Sequence, residues 1–285
     1  MKRLKALVNQ LKNAAHFEGN TENLIREFIF YSPKMPLRLV QEQLLAASKQ
    51  FQLSVPDTYF TGGELKINCF SWGSGKTKVL LTHGWASKAA DFDEFISELI
   101  KIEDTEIIAF DAPGNGSSIS EFSNLMLYAE SVKSISQNYA KPDFIIGHSL
   151  GGMANAIAIQ ELGILPKYLI SIAPLIRLKE NFEQSMDAVE VSKAAQDNFF
   201  RNFAHEFPVN AEYFNLVDLY TLNGKVKHFL AYDPEDHIAP LAYLEEFLIK
   251  NDSINANSYN GIGHYKILKS PEVIQDIIKL IRAEI

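Results

Sequence analysis

The strongest chemical signal in the sequence is Gly147-His148-Ser149-Leu150-Gly151, followed by Gly152. It fits G-x-S-x-G. An apolar run, Phe144-Ile145-Ile146-Gly147, leads into it and a helical pattern over 150–162 follows. That order predicts a serine on a tight strand-to-helix turn, with its hydroxyl projecting above a sheet. Glycines two residues to either side remove the Cβ atoms that would collide there. A serine hydroxyl is a weak nucleophile near neutral pH. It needs a base within hydrogen-bond reach, and the base needs an orienting partner.

Seven histidines are available as the base. His264 lies in Gly261-Ile262-Gly263-His264, in a loop after the last strand pattern and before the C-terminal helix. Open α/β sheets place their chemistry in such loops. His148, next to Ser149, is expected to point away into the structure, and His83 to be structural. His16, His205, His228 and His237 lack a comparable context. The orienting acid should follow a strand end between Ser149 and His264. Tyr232-Asp233-Pro234-Glu235-Asp236-His237 offers three carboxylates there. Two convergent N–H groups must stabilise an oxyanion. The Leu150 amide, at a helix N-terminus, is one candidate. The Trp85 amide, in the turn after His83-Gly84, is the other.

Two patterns mimic phosphate sites. Gly73-Ser74-Gly75-Lys76-Thr77 echoes a P-loop, but Phe70 stands where the first glycine is needed and a strand follows it. Gly114-Asn115-Gly116 lacks the third glycine of a dinucleotide fingerprint. No histidine or cysteine cluster has metal spacing, so neither a metal nor a cofactor is expected.

The elements that must position these residues alternate. Apolar strands are expected at 79–84, 106–110, 144–147 and 168–173, with helical faces over 87–101, 121–139 and 150–162. Apolar strands interleaved with helices predict an α/β fold: a mostly parallel sheet with helices on both faces. The alternation breaks over 175–224, which is aromatic and helical, and resumes with strands at 227–232 and 256–259. Ser270, Pro271 and Glu272 then open a C-terminal helix whose apolar face is Val273, Ile274, Ile277, Ile278 and Ile281. Before the sheet, Leu4, Leu7, Val8, Leu11 and Ala15 recur at helical spacing among lysines. A second helix is expected over 37–50, and a hairpin from 58–60 through Gly62-Gly63 to 65–72. The expected organisation is a helical extension over 1–57, a core over 58–174 and 225–285, and a helical cap over 175–224.

Composition limits the function classes. The 285 residues are 47% hydrophobic and 22% charged, with a net charge of −8. That mix suits a globular chain with a real core. The acidic balance argues against nucleic acid. One cysteine, Cys69, forms no intrachain disulfide, which suits a reducing compartment. Apolar runs fall short of the ~18 residues a bilayer span needs. The N-terminus lacks a signal-peptide h-region. A cytoplasmic protein is expected. A basic first helix also leaves a membrane-associated lipase open.

Five segments in this order resemble the α/β-hydrolase superfamily: His83-Gly84-Trp85, Asp111-Ala112-Pro113-Gly114-Asn115-Gly116-Ser117-Ser118, Gly147-His148-Ser149-Leu150-Gly151-Gly152, Asp236-His237-Ile238-Ala239-Pro240 and Gly263-His264. The resemblance covers about 60–285. It implies that the acid stands four residues before Pro240, which selects Asp236 over Asp233. It also implies a Ser149, Asp236, His264 triad with Trp85 and Leu150 at the oxyanion. Asn115 departs from the histidine many members carry in a loop that is structural in the family. Serine as nucleophile disfavours dehalogenase and epoxide hydrolase chemistry. The expected activity is hydrolysis of small-molecule carboxylic esters with small or medium acyl groups. A thioesterase, amidase, lactonase or C–C hydrolase would use the same triad, and a binding protein on this fold would need none.

Overall fold

The computed structural model describes residues 2–14 and 21–285, so Ala15 and His16 lie outside the described residues. Eight strands form one sheet: β1 (Lys49–Asp57), β2 (Gly63–Gly73), β3 (Thr77–Thr82), β4 (Thr105–Asp111), β5 (Phe144–His148), β6 (Tyr168–Ile172), β7 (Lys227–Tyr232) and β8 (Asn255–Ser258). Their spatial order is β1-β2-β4-β3-β5-β6-β7-β8. The β1–β2 and β2–β4 pairs are antiparallel and all the others parallel. The helices are α1 (Lys2–Ala14), α2 (Thr21–Phe30), α3 (Leu39–Ala46), α4 (Asp93–Leu99), α5 (Leu125–Asn138), α6 (Leu150–Leu162), α7 (Leu178–Asp187), α8 (Lys193–Glu206), α9 (Leu216–Leu219), α10 (Leu241–Lys250) and α11 (Pro271–Ala283).

The central strands are buried on both faces, which is why they read as unbroken apolar runs. One core joins Leu80, Ile108, Ile145 and Leu230 to α5 and α6. A second joins Val79, Leu81, Ile146 and Ile170 to α4 and to Val273, Ile277 and Ile281 of α11. Alternate strand residues feed opposite faces, as the period of two requires. Ser270 stands at the N-cap of α11 with Pro271 behind it, but its side chain makes no cap hydrogen bond.

The N-terminal third differs from expectation. The helix expected over 37–50 stops at Ala46, and Lys49–Asp57 is a strand that the 1–57 boundary placed in a helical extension. Phe51, Leu53 and Val55 alternate with Gln50, Gln52 and Ser54, the period of a half-buried edge strand. Pro56 is tolerated there because an edge strand leaves donors unpaired. The hairpin therefore joins β1 to β2, with Asp57↔Gly63 as its closing pair. The Asp57 carboxylate accepts from the Tyr59, Phe60 and Thr61 amides at 3.0–3.1 Å and fixes the turn.

Residues 175–224 carry α7, α8 and α9 and, among the described residues, no strand beyond an isolated Arg177–Asn215 bridge. Their aromatics do not close on themselves. Phe199, Phe203 and Phe207 share a cluster with Leu11 of α1 and Ile25, Ile29 and Phe30 of α2. Arg26–Glu206 and Lys12–Glu190 ion pairs flank the same junction. Leu7 and Leu11 of α1 are buried, so its apolar stripe faces protein. No described helix is long and apolar enough to cross a membrane.

His228 on β7 is enclosed, with Tyr220 Oη at 2.8 Å from Nδ1 and Ser171 Oγ at 2.9 Å from Nε2. Burial pushes its imidazole down from 6.5 to about 3. Between those values the unfolded chain binds a proton that the folded chain refuses, so stability falls as pH drops through that window. The slope is about 1.4 kcal/mol per pH unit for one such group. His228→Gln is expected to lower the slope of unfolding free energy against pH, between about pH 6 and 4, by roughly one proton. Urea titrations across that range test this, and an unchanged slope contradicts it.

Candidate active site

The register of the sheet delivers the elbow. Thr82 of β3 pairs with Gly147 of β5, and His148 with Ile172 of β6, so the β5–α6 turn emerges at the carboxyl edge of the sheet. Ser149 sits there at φ 53°, ψ −121°, a conformation an L-residue enters only when its surroundings enforce it. They do. The Ser149 amide donates to the Ile172 carbonyl at 3.0 Å, and its carbonyl accepts from Gly152 and Leu175. A Cβ on Gly147 would meet Asn155 Nδ2 at 2.5 Å, and one on Gly151 would strike the Thr82 and His83 carbonyls. Both positions therefore require glycine for close approach.

Three side chains separated in sequence meet above this edge. Ser149 Oγ is 2.9 Å from His264 Nε2, and His264 Nδ1 is 2.6 Å from Asp236 Oδ2. A carboxylate only accepts, so Nδ1 carries the proton and Nε2 is free to take one from Ser149. Asp236 and His264 are buried, while Ser149 is half-exposed. Burial raises the Asp236 carboxyl, but the His264 hydrogen bond and the Ala239 and Ile238 amides outweigh it and hold the pKa below the usual value. Asp236 is thus an anion across the neutral range, oriented by its own backbone contacts at 2.8 and 3.0 Å.

Asp233, the other carboxylate the sequence offers at this turn, has a different task. It accepts from the amides of Gly263 at 2.6 Å, Glu235 at 2.9 Å and Gly261 at 3.3 Å. It ties the β7 turn to the loop bearing His264. Burial raises its carboxyl and these amides hold it down. Glu235 joins this network through its amide alone.

The turn after β3 is fixed from beneath. His83 Nδ1 donates to the Gly84 carbonyl at 2.7 Å, its Nε2 accepts from the Ala112 amide at 3.0 Å, and Tyr128 Oη donates to the same Gly84 carbonyl at 2.9 Å. Burial lowers the His83 pKa and keeps the ring neutral, as this pattern needs. Trp85 follows, and Ala86 at φ 55° turns the chain. Trp85 and Leu150 both line the Ser149 cavity, and neither amide donates to another described residue. The Asp111 carboxylate closes the neighbouring loop through Ala89 and Ser117. Asn115 accepts from Ser32 Oγ and donates to the Pro113 carbonyl at 3.0 Å, so it anchors the chain leaving α2.

His148 does not point away from the site. Its ring lies 4.9 Å, centroid to centroid, from that of His264, and its Nε2 donates to the His264 carbonyl at 2.8 Å. Burial pushes its imidazole down to about 3, so it stays neutral. The last strand residue faces the loop crossing the sheet edge, and no local pattern in the sequence reveals that loop's path. Tyr128 under the turn after β3 is likewise hidden, because in sequence it reads only as a core aromatic.

The cavity over Ser149 measures about 750 Å³. Its walls come from α2 and the residues after it, the β3 turn, α7 and the His264 loop. Among the described residues its one acidic lining side chain is Asp91, already held by Lys88 at 3.0 Å, Ser87 at 2.7 Å and Gln41 at 2.9 Å.

Residues 73–235, more than half of the chain, match the family model described as serine aminopeptidase, S33. The chain belongs to this S33 family of α/β hydrolases. Asp236 and His264 lie just beyond the matched residues, so their place in this S33-family protein rests on geometry. Three solved structures share the fold. An esterase of Pyrococcus furiosus is 17% identical with TM-score 0.63, covering 89% of this chain and 97% of that one. A thermophilic esterase of Thermogutta terrifontis, malate bound, is 17% identical with TM-score 0.57, covering 82% and 98%. The mouse alpha/beta hydrolase domain-containing protein 10 is 18% identical with TM-score 0.60, covering 81% and 97%. A comparison with curated protein sequences finds no match.

Proposed function

We propose that this α/β hydrolase cleaves carboxylic esters of small or medium acyl groups through an acyl-enzyme on Ser149. The observation that carries the reading is the unbroken hydrogen-bonded line from Ser149 Oγ through His264 to Asp236, at 2.9 and 2.6 Å. Ser149 Oγ attacks the ester carbonyl while His264 Nε2 takes its proton. Asp236 stabilises the imidazolium that forms. The negative oxygen is received by the Trp85 and Leu150 amides, the latter at the positive end of α6. His264 returns the proton to the leaving alkoxide as the C–O bond breaks. Water then attacks the acyl-enzyme, giving its proton to His264, and the acid departs as Ser149 recovers its hydrogen. His148 acts as a positioning residue, tethering the His264 main chain to β5.

Residues 175–224, joined by α1 and α2, form the cap over this site in our reading. The single buried cysteine suits a cytoplasmic setting, and burial pushes its thiol up to about 12, where it is inert.

The family description favours a second reading, release of an amino-terminal residue from a peptide. That chemistry needs a carboxylate free to meet a substrate ammonium. Asp91 is committed to Lys88, which supports esters over free-amine peptides. A panel of p-nitrophenyl esters beside aminoacyl p-nitroanilides separates the two. Ester turnover with an initial burst equal to the enzyme concentration is expected. Turnover of anilides alone overturns the ester reading.

A further inference from the structure

A second cavity of about 310 Å³ adjoins the first. Phe30, Asn124, Leu125, Leu178 and Phe182 belong to the walls of both. The Phe30 and Phe182 rings meet edge to face, 6.3 Å between centroids at 85°, as a partition between the two spaces. Beyond it the lining includes Ile157, Phe203, Phe207, Val209, Phe214 and Leu219. The space is open on one side, where the exposed Glu161, Pro208 and Tyr213 belong to its lining.

Three of its polar side chains already hold partners. Asn124 Oδ1 accepts from the Leu127 amide at 2.9 Å, Gln160 Oε1 from the Thr221 amide at 2.6 Å, and Glu161 from Lys133 at 2.8 Å. What remains facing the space is mainly hydrocarbon and aromatic ring, with the exposed Tyr213 also in its lining. Such a surface rewards burial of an apolar ligand and penalises a polar one.

We propose that this chamber is a binding site for the distal part of an extended acyl chain, entered from the Ser149 cavity past Phe30 and Phe182. The inference rests on the esterase reading and narrows its substrate class to esters of medium acyl chains, whose tail reaches past Phe30 and Phe182. The partition comes from α2 and α7, so the N-terminal helices take part in setting chain length. Burial of each further methylene is expected to raise kcat/KM about fourfold, from about 0.8 kcal/mol per CH₂.

The test is a p-nitrophenyl ester series from acetyl to dodecanoyl on wild type and Val209→Trp, which fills the chamber from its far side. Leu219→Phe replaces it if circular dichroism shows that Val209→Trp does not fold. The decanoyl-to-acetyl ratio of kcat/KM is expected to fall at least tenfold in the variant. A ratio equal to wild type overturns the proposal, as does a wild-type kcat/KM that declines steadily from butanoyl onward. Should no ester of any length react, the esterase reading fails on its own. Decanoate titrated calorimetrically into the Ser149→Ala protein and into the Ser149→Ala, Val209→Trp double variant then decides the chamber. Binding at least tenfold weaker in the double variant supports it, and equal affinity overturns it.

Discussion

Ser149→Ala is expected to lower kcat for ester hydrolysis about a million-fold, the scale on which loss of a triad nucleophile acts. The mutation deletes one oxygen and leaves the φ of 53° in place, because that strain is imposed by the Ile172, Gly152 and Leu175 hydrogen bonds to the residue's backbone. Stability is therefore expected to stay within about 1 kcal/mol of wild type. Activity and unfolding measured on the same preparation separate lost chemistry from lost fold. A variant retaining more than about one thousandth of wild-type kcat contradicts a Ser149 nucleophile.

Asp236→Asn is expected to reduce kcat about ten-thousand-fold. An amide nitrogen placed 2.6 Å from Nδ1 would favour the tautomer protonated on Nε2, and that ring cannot take the Ser149 proton. Asp233→Asn is the paired control. The Asp233 carboxylate touches only backbone amides, so its loss loosens the His264 loop, costing about 1–3 kcal/mol of stability with a much smaller fall in kcat. Steady-state kinetics and urea titration of both variants test the division. A larger kcat loss for Asp233→Asn reverses the two roles.

The elbow is legible in the sequence because strand, glycine spacing and helix each demand the same local geometry, and the structure meets it at Ser149. His264 is legible for a related reason: Gly261 and Gly263 both adopt positive φ, which marks a loop shaped by backbone contacts. The choice between Asp233 and Asp236 is not legible from composition, since both follow the same strand end. It takes the resemblance to select one and the hydrogen bonds to give the other a task. The edge strand β1 is hidden by its polar face and by Pro56, which dilute the apolar signal. The joining of α1 and α2 to residues 175–224 depends on contacts between segments some 180 residues apart, such as Arg26 with Glu206. Periodicity reports which face of a helix is buried and is silent on its partner. The orientation of His148 escapes the sequence for the same reason, because its partner is the carbonyl of His264, 116 residues on.

The central claim is that Ser149 Oγ is an activated nucleophile, and covalent capture tests it most directly. Wild-type protein is treated with a fluorophosphonate, and intact mass followed by peptide mapping locates the adduct. One adduct per chain on Ser149 is expected, absent in Ser149→Ala and formed at least about a hundredfold more slowly in His264→Ala. No adduct on wild-type protein, or an adduct whose rate is indifferent to His264, would contradict the account.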